Sequence, residues 1–122
     1  MDRILRTGPP QAIGVWDGLY SFVVRLNEVP AEHWIYSFRV ATPVALEHDP
    51  ERVVFDTQRG LLFETEESLV LGWIDHIDLW IDSANTRVAL DEAADEKRRA
   101  EAQNREDRDL LLSRINEKFK DL

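Results

Sequence analysis

The sequence predicts an α+β fold: a small antiparallel sheet of four or five strands, built from two hairpins, covered on one face by a short helix and a long C-terminal helix. Three observations carry this. Asp17-Gly18 interrupts an alternating apolar stretch, Gly60 closes a turn between two further apolar runs, and the chain after Pro50 has no proline and after Gly60 a single glycine, Gly72. A chain of 122 residues suits one domain with one modest core.

The first hairpin is "AIGVWDGLYSFVVRLN". Asp-Gly is a two-residue turn signal because both central positions need positive φ. After it Tyr20, Phe22, Val24 and Leu26 alternate with Ser21, Val23, Arg25 and Asn27, the period of a half-buried strand. "VPAEHWIYSF" then reads as a short helix over 30–38, with Pro30 in the first turn and Ala31, Trp34, Ile35 and Phe38 on one face. "ATPVALEHDPE" is a proline-flanked loop with a short edge strand expected near Val44–Leu46. Val53–Asp56 and Leu61–Glu64 form the second hairpin.

From Glu66 the spacing is helical, with Thr65 as the expected N-cap and Glu66 and Glu67 favouring the positive end of the helix dipole. A helix to Leu122 would run roughly 80 Å, against a radius of gyration of about 12 Å for the preceding compact part. It must therefore project or turn back. Asn104, followed by Glu106 and Asp107, resembles a fresh N-cap, so both a continuous helix and a hairpin at 104 remain open. The expected organisation is a compact α+β domain over 1–90 and a charged helical arm over 91–122, which is not an independent domain.

"WIDHIDLWIDSAN" packs two tryptophans, three aspartates and a histidine into one stretch. On a helical wheel Leu69, Val70, Trp73, Ile74, Ile77, Trp80, Ile81, Ala84 and Val88 fill one arc, and Asp75, Asp78 and Asp82 lie within about 60° of one another opposite it. A carboxylate stripe could attract Mg²⁺ or Ca²⁺, but one helical face brings no convergent backbone oxygens. The expected reading is a core-facing helix with a solvated acidic face, and His76 a border histidine satisfied by hydrogen bonding. Leu71 and Leu79 fall among the aspartates. With Asp75 and Asp82 they form a candidate contact stripe, apolar at its centre and charged at its edges.

The arm segment 91–109 has only alanines as apolar residues, and "LLLSRINEKFKDL" then restores an apolar seam at Leu112, Ile115, Phe119 and Leu122. Burying each such side chain stabilises by about 1.5–3 kcal/mol. Fewer than two heptads make only a weak coiled coil without further contacts.

Residues 1–90 hold 14 acids, seven arginines and no lysine; residues 91–122 hold 10 acids and eight bases. The compact part thus lacks the basic cluster that phosphate recognition needs, which argues against direct nucleic-acid binding. Zero cysteines remove disulfides, thiolate zinc sites and cysteine nucleophiles. The N-terminus has no apolar signal region and no run is long enough to span a bilayer, so a cytoplasmic protein away from the membrane is expected. His33, His48 and His76 fall in no metal-binding spacing, and there is no phosphate loop or nucleophile elbow. In "EHDPE", His48 lies between carboxylates and could serve acid–base chemistry, but the prolines favour an exposed loop.

No catalytic residue, cofactor or metal site is expected. The leading expectation is a non-catalytic interaction or assembly module, a homo-oligomer or a subunit of a larger complex. Its interface residues are Leu71, Asp75, Leu79, Asp82, Leu112, Ile115, Phe119 and Leu122. Two alternatives stand beside it: a small enzyme or ligand-binding domain with a site between the sheet and the 40–50 loop, and an acidic inhibitor that mimics nucleic acid.

Overall fold

The computed structural model describes residues 3–41, 48–56, 58 and 60–122. Among the described residues the fold is α+β, with four antiparallel strands, a short helix and a long C-terminal helix. The chain divides into two units, 1–88 and 89–122. The edge strand expected at Val44–Leu46 lies outside the described residues.

In the first unit β1 (Gln11–Trp16), β2 (Leu19–Val24), β3 (Val54–Asp56) and β4 (Gly60–Thr65) form one sheet in the order β1-β2-β4-β3. The β1–β2 turn takes positive φ at both Asp17 (51°) and Gly18 (79°), as the Asp-Gly signal requires. A register shift between Ala12 and Gly14 puts a bulge in β1. At the start of β4, Gly60 has φ 112°, and a Cβ there would lie 2.5 Å from the carbonyl oxygen of Val24. Only glycine lets these two backbones approach so closely.

Cross-strand pairing puts Phe22 opposite Phe63 and Val24 opposite Leu61, with Phe55 also opposite Leu61. This face packs against α1 (Glu32–Arg39) and residues 70–88 of α2 (Val70–Lys118). The core holds Trp34 and Phe38 from α1 and Trp73, Ile77, Trp80, Ile81, Ala84 and Val88 from α2. Its rings meet mainly edge to face or stacked: Phe38 against Trp80 at 5.7 Å, Phe63 on Trp73 at 5.3 Å.

The N-terminal segment has no counterpart in the sequence reading. Arg6 bridges Leu26, Thr7 donates to the Arg25 carbonyl at 3.0 Å, and Ile4 enters the core. Ile4 is fixed there by Asn85, whose Oδ1 accepts its backbone N–H at 3.0 Å and whose Nδ2 donates to its carbonyl at 2.8 Å.

The helix start also differs from expectation. Thr65 does not cap α2. It is the buried last residue of β4, paired with Tyr20, so its backbone is committed to the sheet. A 3-10 turn, Glu67–Leu69, intervenes before Val70.

The second unit is helical to Lys118, and every residue from 89 to 122 is exposed. Asn104 lies inside α2, so the helix does not break there. Asp107 is used along the helix instead: Gln103 donates to it at 3.1 Å. Phe119 and Leu122 fall beyond the last helical residue, although the Phe119 N–H still donates to the Ile115 carbonyl at 3.3 Å.

Candidate interaction surfaces

The aspartate stripe of α2 is less free than a solvated face would be. Arg6 reaches it from the N-terminal segment, with Nε 2.8 Å from Asp78 Oδ1 and Nη2 2.9 Å from Oδ2, a two-point clamp. The hydrogen bonds to Asp78 raise the Arg6 pKa above its ordinary value, so the guanidinium keeps its charge throughout the accessible pH range. Arg3 lies 3.2 Å from Asp82. Two of the three carboxylates therefore pair with arginines of the N-terminal segment, Asp78 with Arg6 and Asp82 with Arg3. No spacing rule links positions 6 and 78, which is why helical geometry alone could not find the pair.

Of the predicted contact stripe, Leu71 (81% exposed), Leu79 (60%) and Asp75 remain open to solvent, while Asp82 is engaged by Arg3. Leu71 joins residues distant in sequence. It lines a depression of about 900 Å³ with Leu19, Gly18 and Ser68, and Asp17, Glu66 and Glu67 stand around it. Its lining combines two exposed leucines with three carboxylates. Next to Asp17 in the chain, Trp16 is 84% exposed. Trp16 pairs with Leu19, out of phase with the core-facing Phe22 and Val24, so it stands on the sheet face turned away from the helices.

His48 is buried rather than displayed on an exposed loop. Its ring stacks on His76 at 4.5 Å with 8° between planes, and its edge meets Trp73 at 5.2 Å. Gly72 makes room: a Cβ there would lie 3.1 Å from His48 Nε2. His76 Nδ1 donates to the Gly72 carbonyl at 2.7 Å, as a border histidine should. The neighbouring Asp49 is occupied in capping the 3-10 turn Pro50–Arg52, where its Oδ1 accepts the Glu51 N–H at 2.9 Å. Parallel rings do not aim their nitrogens at one point between them, so the pair offers packing rather than a ligand set. Among the described residues no group of three or more His, Asp or Glu side chains is placed to hold a metal ion. Residues 42–47, part of the loop invoked for a ligand site, lie outside the described residues.

In the second unit Leu112, Ile115, Phe119 and Leu122 are exposed, and so are Leu110 and Leu111, which the heptad spacing passed over. The "LLLS" run was the available signal. Lys118 places its Nζ 5.4 Å from the Phe119 ring, and Lys120 pairs with Glu117 at 2.8 Å, giving the apolar tip a charged border. Among the described residues no helix is long and apolar enough to cross a membrane.

Comparison with protein-family models, with curated proteins and with solved structures finds no match to this chain.

Proposed function

We propose that this protein is a non-catalytic interaction module of the cytoplasm, an adaptor or assembly subunit, that works through its helical tip and the acidic face of its α+β unit. The observation that carries the reading is the tip. Leu110, Leu111, Leu112, Ile115, Phe119 and Leu122 are all exposed within thirteen residues. Large apolar side chains gathered this densely are uncommon on a protein with no partner. Each of the leucine, isoleucine and phenylalanine groups contributes about 1.5–3 kcal/mol when buried, enough together for a helix-in-groove or short coiled-coil contact. The acidic depression around Leu19 and Leu71 supports a second contact, made to a partner with basic and apolar groups.

Affinity capture from native lysate tests the reading, with the full chain and an Ile115→Asp/Phe119→Asp variant as baits. The module reading expects proteins retained by the first and lost by the second, while both baits keep the same helical circular dichroism. Identical capture profiles for the two baits would remove the tip as the working surface.

A further inference from the structure

We propose that strand β1 pairs edge to edge with β1 of a second copy of this chain, joining two four-stranded sheets into one of eight. This deepens the interaction reading by naming a partner and a surface for it. Among the described residues β1 is an outer strand of the sheet, and all six of its residues are exposed. Around a two-residue turn the flanking pair, Trp16 and Leu19, exchanges both backbone hydrogen bonds. Alternation then points the N–H and C=O of Val15 away from β2, toward open solvent. Such edges pair with further strands unless charge, proline or irregularity blunts them. Here Pro9 and Pro10 precede the strand and the bulge at Ala12/Gly14 bends it, but neither reaches the Gly14–Trp16 end. The other outer strand, β3, is three residues long and too short to compete.

Charge selects a second copy as the occupant. From Thr7 to Trp16 the chain carries no ionisable side chain, its longest such run, in a sequence that is 32% charged with a net charge of −9. A symmetric contact sets each surface against itself. On most of this protein that would oppose carboxylate to carboxylate, whereas two copies of β1 meet without like-charge repulsion. A basic foreign partner would be drawn instead to the carboxylates of Asp17, Glu66 and Glu67. The exposed side chains of Ile13, Val15, Trp16 and Leu19 flank the edge and supply apolar area. A contact confined to this end of one strand falls below the roughly 1,200 Å² at which standard-size interfaces begin, so the dimer is expected to be concentration-dependent.

Sedimentation velocity over a concentration series tests this on full chains: wild type, Val15→Pro, Val15→Lys and Ile115→Asp/Phe119→Asp. Val15→Pro deletes the outward N–H, and Val15→Lys adds like charge to both sides of the symmetric contact; since Val15 is exposed, the lysine variant keeps the test alive if proline disturbs the hairpin. The expected result is a wild-type dimer at high concentration, monomers for both Val15 variants with unchanged circular dichroism, and a dimer that survives in the tip variant. Trp16 provides a second readout, because Trp34, Trp73 and Trp80 are buried and acrylamide quenching reports chiefly on Trp16. Quenching should fall as the wild type dimerises. A wild-type monomer at all concentrations, a dimer that persists in Val15→Lys, or a dimer lost only in the tip variant overturns the edge proposal. Loss of the tip's captured partners is read separately, so failure of the edge is distinguishable from failure of the module reading.

Discussion

Trp34 donates its indole N–H to Asn85 Oδ1 at 2.9 Å, and that oxygen also accepts the backbone N–H of Ile4. One buried amide thus joins α1, α2 and the N-terminal segment. Asparagine contributes both an acceptor and donors, and the site uses both, since Nδ2 donates to the Ile4 carbonyl.

Replacing Asn85 with leucine should therefore destabilise far beyond its change in size. It strands the Trp34 N–H and both Ile4 backbone groups in the core, each at about 1–3 kcal/mol. A loss of at least about 3 kcal/mol is expected in urea unfolding. An Asn85→Leu variant within one kcal/mol of wild type, to order of magnitude, would mean the N-terminal segment does not depend on this amide.

Asp78 and Asp75 sit one turn apart on α2 and should behave differently. Asp78→Ala removes the two-point clamp on Arg6, a pair whose side chains are 28% and 45% exposed. Solvent screening limits the expected loss to about 1 kcal/mol. Asp75→Ala should leave the melting temperature unchanged. Thermal melts at low and high salt check this, with the difference between the variants shrinking as salt rises.

Gly60→Ala should be severe and Gly18→Ala mild, although both glycines have positive φ. At Gly60 a Cβ meets the Val24 carbonyl oxygen at 2.5 Å, whereas at Gly18 it meets nothing within 4 Å. The Gly18 variant should lose about 1 kcal/mol, the backbone strain alone. The Gly60 variant should lose several times more, because β2 and β4 must separate. Equal denaturation midpoints for the two would contradict the close approach.

Gly72→Ala sets helix propensity against packing. Alanine in a helix interior gains up to about 1 kcal/mol over glycine, but its Cβ would press on the His48 ring at 3.1–3.3 Å. A net loss of stability is expected in thermal melts, accompanied by displaced His48 and His76 ring proton resonances. A more stable variant with the ring resonances unmoved would show that His48 does not occupy that space.

Both hairpins and the inward arc of α2 were legible from residue order, because their signals are local. Positive φ at Asp17-Gly18, alternation along β2 and helical spacing from Trp73 to Val88 all act between neighbours a few positions apart. The exposure of Leu112, Ile115, Phe119 and Leu122 was legible for the same reason, since no apolar residue nearby in sequence could cover them, whereas Leu110 and Leu111 fell outside the heptad spacing. What only the tertiary structure decided are the contacts that close long loops. Arg6 on Asp78, Ile4 and Trp34 on Asn85, and His48 on His76 each join residues whose sequence separation carries no periodicity. An aspartate on the outer face of a helix reads as solvated until another segment brings it an arginine, and an asparagine at a helix border reads as polar surface until a core forms around it. Thr65 shows the same physics: strand pairing with Tyr20 outweighs its local preference to cap, because the sheet is held by many contacts and the cap by one.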